Sequence, residues 1–468
     1  MSPTRQAFAL SLSLSTERFP SRPTYFMENL GCAKNQVDAE VMMAALAEDG
    51  WVRSGDPDDA QVIIVNSCGF IEPAKQESID TALDLSLRYS GAKIVMAGCL
   101  SQRYPDELAG EMPELSGIIG NRAPGRIAEF LRQMLESDTR VFVPETHALV
   151  PGTPATVHAR GELLSLPGSA YVKVAEGCDN RCSFCAIPLI RGRLRSRRVD
   201  DLAREVSRLV ESGILEINLV AQDLAAFGRD TGENLLELLE GLLEIDAHFW
   251  VRLLYVYPEH FPDELLDICA RDPRVLPYFD IPFQHASTAI LQRMGRPATA
   301  QQNLALIERI RSHLPGVFVR STFLVGFYGE TDRDFADLVE FQREAQIDWV
   351  GMFTYSPEDG TPAARFEGKL PLPGPEAHSR RDELMRLQEP ITYNRVDRLV
   401  GAELDVLVEE MVPHEPLALG RAYAHAPDVD GAVVLTLGDG AASGVRPGAL
   451  VRCRVLRRNG LDVEATPL

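Results

Sequence analysis

Glu176-Gly-Cys-Asp-Asn-Arg-Cys-Ser-Phe-Cys-Ala-Ile-Pro188 sets Cys178, Cys182 and Cys185 in a C-x3-C-x2-C spacing. Three thiolates this close can surround one metal centre, but three is an incomplete number. Structural zinc takes four closed ligands, and the neighbouring histidines (His147, His158 and His248) stand at no finger-like spacing. Ligation by thiolates alone suits iron–sulfur clusters, which usually take four cysteines. Three ligands on a four-iron cluster leave one iron open for another molecule. A redox pair, or a zinc knuckle with a distant fourth ligand, is the plainer alternative.

Outward from this loop, strand-then-helix units repeat about six times. Strands are expected at 171–175, 216–221, 250–255, 278–281, 317–324 and 349–353, with amphipathic helices between them, as at 202–209, 235–243, 263–269 and 334–341. Alternation of this kind gives a parallel sheet. Six units are too few for a closed eight-stranded barrel, so an open, partial (β/α)6 barrel is expected. The cysteine loop follows its first strand, at the end where barrel chemistry sits. With Phe184 before the last cysteine, the loop resembles that of the radical S-adenosylmethionine (SAM) enzymes, which implies the same partial barrel. In that family the open iron chelates SAM, whose reductive cleavage yields a 5′-deoxyadenosyl radical.

Upstream, from 24 to 142, short apolar runs such as Val62-Ile-Ile-Val65 and Ile94-Val-Met96 alternate with helical stretches. The pattern predicts an N-terminal parallel α/β sandwich. Cys32, Cys68 and Cys99 each follow the C-terminal end of an expected strand. Ligands of open α/β sheets bind in the crevice outside those ends, so topology gathers them into a second three-thiolate site. The competing reading is three small buried residues. Cys269, among helical leucines, and Cys453, in Val-Arg-Cys-Arg-Val, are packing positions.

A stretch from 143 to 167, with Pro144, Pro151, Pro154 and Pro167, reads as an irregular linker. The barrel segment extends over 168–391, its last helix leading to Pro390. Residues 392–468 turn strand-rich, with glycine turns, and predict a small β-barrel.

Bulk properties narrow the function. The chain of 468 residues carries a net charge of −21, against a broadly basic nucleic-acid surface. Its last segment, from Thr392, holds eight basic and eleven acidic residues. A barrel that grips phosphates should be basic; this one suits a lysine- and arginine-rich protein partner better, although a local RNA contact stays open. No apolar run reaches the roughly 20 residues of a membrane helix. Met1 to Pro23 lacks a signal h-region and reads as a cytoplasmic leader. Eight cysteines grouped in this way suggest metal in a reducing cytoplasm rather than disulfides.

The whole chain from about residue 24 resembles the methylthiotransferase family, with its three-cysteine domain, radical SAM core and C-terminal TRAM barrel. The matching stretches are Asn29-Leu-Gly-Cys-Ala-Lys-Asn-Gln-Val-Asp38, Asn66-Ser-Cys-Gly-Phe-Ile71, Gly98-Cys99, Val172-Lys-Val-Ala-Glu-Gly-Cys178, Cys185-Ala-Ile-Pro188, Arg191-Gly-Arg-Leu-Arg-Ser-Arg197, Leu219-Val-Ala-Gln-Asp223 and Asp280-Ile-Pro-Phe-Gln-His-Ala-Ser287. It looks most like the branch that modifies an aspartate of small-subunit ribosomal protein twelve, free or on the ribosome. One departure is Gly326-Phe-Tyr-Gly-Glu330, where the family usually has proline in place of Tyr328. Loss of that φ constraint predicts a small local change.

The resemblance implies two [4Fe-4S] clusters, SAM and an external electron donor. Cys178, Cys182 and Cys185 would hold the SAM-binding cluster, and Cys32, Cys68 and Cys99 the auxiliary one that carries sulfur. Phe184, Gln222, Asp223, Gln284 and His285 are candidates for the SAM or substrate pocket. Gln222 and Asp223 could instead form a polar strand-end turn, His285 could be a satisfied core histidine, and Arg320 could pair with an acidic neighbour. One or two of Arg191, Arg193, Arg195, Arg197 and Arg198 could clamp a carboxylate. A tRNA adenosine methylthiotransferase and a non-catalytic iron–sulfur carrier are the alternatives.

Overall fold

Val62, Ile63, Ile64 and Val65 are all fully buried, the mark of a parallel strand covered on both faces. They lie in β3 of a six-stranded parallel sheet made of β1 (Thr24–Asn29), β2 (Val52–Arg53), β3 (Val62–Ser67), β4 (Lys93–Gly98), β5 (Leu115–Gly120) and β6 (Val141–Phe142), in the order β2-β1-β3-β4-β5-β6. Helix α1 (Ala33–Glu48) and the helix Ile127–Glu136 pack on one face, against Met27, Ile64 and Val95. Helix α2 (Glu72–Arg88) and the helix Pro105–Glu111 cover the other, against Ile63, Val65 and Met96. The computed structural model describes residues 22–137, 139–143, 160–438 and 444–468. The leader reading on 1–21 and most of the expected linker, 144–159, lie outside the described residues.

The second sheet holds β7 (Ser169–Lys173), β10 (Glu216–Val220), β11 (Trp250–Leu253), β12 (Val275–Asp280), β13 (Phe318–Val325) and β14 (Trp349–Thr354), parallel and open, in that spatial order. Between β7 and β10, the short strands β8 (Ala175–Glu176) and β9 (Arg195–Ser196) pair antiparallel and pinch the base of the cysteine loop. Alternation along each strand separates two environments. Ile217, Leu219, Val251, Phe279 and Val319 join the helices in the outer core. Tyr171, Val220, Trp250, Tyr278, Phe318 and Trp349 belong to a different cluster on the inner face.

That inner cluster contains the C-terminal domain. Strands β15 (Glu403–Met411), β16 (Leu417–Arg421), β17 (Val433–Thr436), β18 (Leu450–Asn459) and β19 (Asp462–Pro467) close into a barrel. Its segment 422–431 brings Ala422, Ala424 and Ala426 against the inward-facing aromatics of the sheet. Tyr278 Oη donates to Asp430 at 2.6 Å and the Trp349 indole to the Ala424 carbonyl at 2.9 Å.

The strongest tie between the domains is ionic. Glu216, with 0% exposure, accepts from Arg252 Nε at 2.9 Å and from Arg421 Nη2 at 2.6 Å. Burial would raise its carboxyl, but the two guanidiniums hold it well below the ordinary range. Breaking such a buried pair strands charge in the interior and costs about 3–5 kcal/mol. Glu216→Gln is therefore expected to lower the unfolding free energy by that much, read as a lower denaturant midpoint at an unchanged m-value. An unaltered midpoint would show that water relaxes both guanidiniums.

The last helix of the core corrects one expectation. It runs Pro375–Val396, straight through Pro390, where the sequence suggests a stop. An interior proline removes a helical hydrogen bond. Tertiary contacts on both sides of it offset that loss: Gln388 Nε2 donates to the Ile347 carbonyl at 2.8 Å and Thr392 Oγ1 to the Asp348 carbonyl at 2.8 Å. Among the described residues, no helix is long and apolar enough to cross a membrane.

Candidate active site

The three scattered cysteines come from the three central strands of the first sheet, β1, β3 and β4. Cys32 caps α1, Cys68 follows β3, and Cys99 opens a short helix (Cys99–Arg103) directly after β4. Small residues let these turns meet. Gly31 has φ +93°, and a Cβ there would stand 3.1 Å from the Cys68 Cβ. A Cβ on Gly69 would stand 2.8 Å from the Cys99 carbonyl carbon, closer than a real contact allows. Asn35 ties the loops by donating to the carbonyls of Leu30 at 2.7 Å and Ser67 at 3.0 Å.

Charge separates the three thiols. Burial, with Cys99 nearby, pushes Cys68 up to about 12, and burial also raises Cys99. Burial acts on Cys32 too, but the charges of Lys34 and Arg191 and the backbone N–H groups of Asn35 and Lys34 outweigh it, so its thiol is held below the ordinary value. Cys32 is exposed to solvent.

The second set lies on the barrel loop. Burial raises all three thiols, Cys178 to about 11 and Cys185 to about 12. The Cys178 sulfur accepts from the Asn180 N–H at 3.4 Å, and Tyr257 Oη lies 3.8 Å from the Cys182 sulfur. The Arg296 guanidinium covers the Tyr257 ring at 4.0 Å.

One residue joins the two sets. Arg191 leaves the cysteine loop after the turn Ile187–Ile190, is 2% exposed, and donates through Nη2 to the Cys99 sulfur at 3.3 Å and to Asp38 at 2.9 Å. Its Nη1 donates to Glu176 at 3.1 Å, and Lys173 pairs with both Asp38 and Glu176. Asn121 Nδ2 adds a second donor to the Cys99 sulfur at 3.3 Å, and Cys99 packs on Ala186 and Ile190 of the barrel loop. Arg191 thus links the Cys99 turn of the N-terminal domain to the base of the barrel's cysteine loop.

Donor chemistry tests whether these residues fit iron–sulfur clusters. Both sets are thiol-only and carry N–H or O–H donors aimed at sulfur, which tune and stabilise cluster sulfur. Among the described residues, no three His, Cys, Asp or Glu side chains converge tightly enough to enclose a single metal ion. A four-iron cluster does not require that, because each thiolate takes a separate iron. The sets fit the clusters.

The other sequence candidates divide. Gln222 lies two residues past the end of β10, and both polar atoms of its buried amide lack a partner among the described residues. Gln284 has φ +70° and Tyr255 φ +63°, strained for residues with side chains, at the mouth ends of β12 and β11. Asp223, 3% exposed, is committed within the protein: it accepts from Asn180 Nδ2 at 2.9 Å and from the Ala225 N–H at 3.0 Å, anchoring the cysteine loop to the strand end. His285 is not brought to the crevice. It is fully buried, accepts at Nδ1 from the Ser287 N–H at 3.0 Å, and burial holds its imidazole neutral, its pKa near about 3. Phe184 packs beside Phe327, Tyr328 and Met294.

Tyr328 takes the proline's place by filling that same aromatic cluster, its ring 5.5 Å from Tyr355. Of the arginine run, Arg197 turns to Glu205 and the Lys173 carbonyl, Arg193 to Asp179 and Arg198 to Glu233. Arg320 pairs with Asp280 at 3.2 Å. Cys269 and Cys453 are buried packing residues. Asn35, Asn121 and the inward path of Arg191 escape sequence reasoning, since their partners lie on other strands or in the other domain.

Comparison with known proteins gives this geometry its context. Residues 24–120 match the family described as Uncharacterized protein family UPF0004, residues 172–341 the Radical SAM superfamily, and residues 400–468 the TRAM domain. A ribosomal protein uS12 methylthiotransferase RimO from Treponema denticola is 42% identical, the match covering 94% of this chain and 99% of that protein. The protein of the same name from Syntrophobacter fumaroxidans is 43% identical, covering 93% and 97%. Among solved structures, the radical SAM methyltransferase TsrM from Kitasatospora setae, with cobalamin and a [4Fe-4S] cluster bound, shares the fold at a TM-score of 0.51 and 16% identity over 72% of this chain and 77% of that one. Two thiol-only sets linked through Arg191, a radical SAM domain, a closed TRAM barrel and full-length relatives under one name lead to one conclusion: the chain belongs to the RimO family of radical SAM methylthiotransferases.

Proposed function

We propose that this enzyme adds a methylthio group to the β-carbon of an aspartate in ribosomal protein uS12, free or assembled in the ribosome, using an external electron donor in the cytoplasm. The observation that supports the reading is the junction at Arg191, which ties the loop of Cys178, Cys182 and Cys185 to the turn of Cys99 and to Asp38. When bound, SAM and the [4Fe-4S] clusters of this family supply the deoxyadenosyl radical, the methyl group and the sulfur.

The protein's own part is to hold and orient. Cys178, Cys182 and Cys185 would hold one cluster, while Asp223, through Asn180, fixes their loop against β10. Cys32, Cys68 and Cys99 would hold the other, and Arg191 and Asn121 lower the cost of negative charge on the Cys99 sulfur. Gln222 and Gln284 stand where SAM or substrate enters. Docking of α1 on the barrel domain packs Val37 into one cluster with Tyr171 and Val220.

The acidic C-terminal segment favours a basic ribosomal protein over an RNA. Reconstituted enzyme with SAM and a reductant, offered uS12 or tRNA separately, is expected to place a methylthio group on the protein alone, read by mass spectrometry. An adduct only on tRNA overturns the reading. Formation of 5′-deoxyadenosine that disappears in Cys182→Ala would set aside the carrier alternative.

A further inference from the structure

Lys34 lies two residues after Cys32, in the first turn of α1, and is 8% exposed. Its ammonium sits 3.6 Å above the Tyr255 ring, and its hydrogen bond is a long one, 3.4 Å to the carbonyl of Ala221 at the end of β10. Among the described residues, no carboxylate lies within 4 Å of it. Lys173 and Arg191, the neighbouring buried cations, are each satisfied by Asp38 and Glu176. An ammonium withdrawn from water with most of its donors free is costly unless an anion completes it.

The surroundings say where that anion sits. Tyr255 takes up a strained backbone with φ +63° to place its ring beneath the ammonium. The next residue after Ala221 is Gln222, whose unpartnered amide ends the same inner strand face. The exposed thiol of Cys32 stands on the same side. Asp280 is engaged by Arg320, and the charges of Cys32, Asp280 and Glu176 reach Lys34 without a direct ion pair. A small anion arriving beside Cys32 meets an ammonium that no carboxylate contacts directly among the described residues, and a neutral amide.

We propose that Lys34 binds the carboxylate of the substrate aspartate and thereby sets its β-carbon toward the auxiliary sulfur site. The inference rests on the uS12 reading and deepens it, because in aspartate the carboxylate is bonded directly to the carbon that gains sulfur. Lys34 is then a specificity residue. A neutral base has no use for the charge, whereas an aspartate requires it.

A double-mutant cycle isolates the contact. Holoenzyme affinity is measured for uS12 and for its form with the target aspartate changed to asparagine, using wild type, Lys34→Met and Lys34→Arg. A charge-assisted hydrogen bond predicts about tenfold weaker binding of the asparagine form by wild type. In Lys34→Met the two forms should bind alike, and Lys34→Arg should restore part of the preference, each affinity being compared at equal iron per chain because Lys34 also acts on the Cys32 thiol, and with SAM affinity unchanged throughout. A preference that survives in Lys34→Met overturns the proposal. So does loss of SAM affinity in that variant, which would place Lys34 in SAM binding. Wild type that methylthiolates uS12 but does not distinguish the two forms in binding also overturns it. Wild type that neither binds nor modifies uS12 overturns the substrate reading, and the inference with it.

Discussion

Cys68→Ala is expected to lose about half of the protein's iron, to keep forming 5′-deoxyadenosine from SAM, and to make no methylthio product. Cys68 follows β3 in the first sheet and lies against the turns of Cys32 and Cys99. Two ligands hold a cluster far less firmly than three. The barrel set keeps its own donors, Asn180 and Tyr257. Anaerobic iron and sulfide analysis beside chromatographic assay of 5′-deoxyadenosine separates the two sites. Full iron retention would show that the N-terminal set is no cluster site.

Arg191→Met is expected to act on both domains at once. The substitution keeps an unbranched apolar stem and removes the charge, leaving Lys173 as the only cation paired with Asp38 and Glu176 among the described residues. A buried network broken on one side loses about 3–5 kcal/mol. Burial would raise Glu176, but Lys173 and Arg191 pull it down to about 2, so its charge persists and must be answered. The Cys99 sulfur also loses a donor at 3.3 Å. Expected results are a lower denaturant midpoint, faster proteolysis between the first two domains, and auxiliary iron that leaches on gel filtration. Arg191→Lys should recover charge but not the fork that reaches Asp38, Glu176 and Cys99 together, so its recovery should be partial. A stable Arg191→Met protein with full iron would refute the bridging role.

Much of the architecture is legible because it rests on periodicity. Runs such as Val62-Ile-Ile-Val65 are apolar on both faces and can only be central parallel strands, and the strand-end rule then gathers Cys32, Cys68 and Cys99. The helix through Pro390 is not legible, since Gln388 and Thr392 secure it by contacts far away in sequence. Site chemistry divides along the same line. Gln222 can be placed on the inner face by counting along a strand. His285 cannot, because one strained residue, Gln284, turns the chain away from strand alternation just before it. Arg191 stands in a run of which one or two members are expected to clamp a carboxylate, and its bonds to Asp38 of α1, Glu176 and Cys99 single it out as one that points inward. Lys34 sits inside a quoted motif, yet its isolation is a property of what surrounds it.

The insertion of 422–431 into the inner face of the sheet has a consequence for how such an enzyme can diversify. The C-terminal domain is corked into the barrel by small alanines and by Glu216, Arg252 and Arg421. It cannot be exchanged like a tag on a tether, since a replacement must carry the same plug. Its outer strands meet no such demand: Arg452, Arg454 and Arg457 pair only with exposed partners or with one on the barrel's own surface. Heredity can therefore rewrite the face shown to a new partner while the stopper stays fixed, and chimeras cut within 422–431 should be the ones that fail.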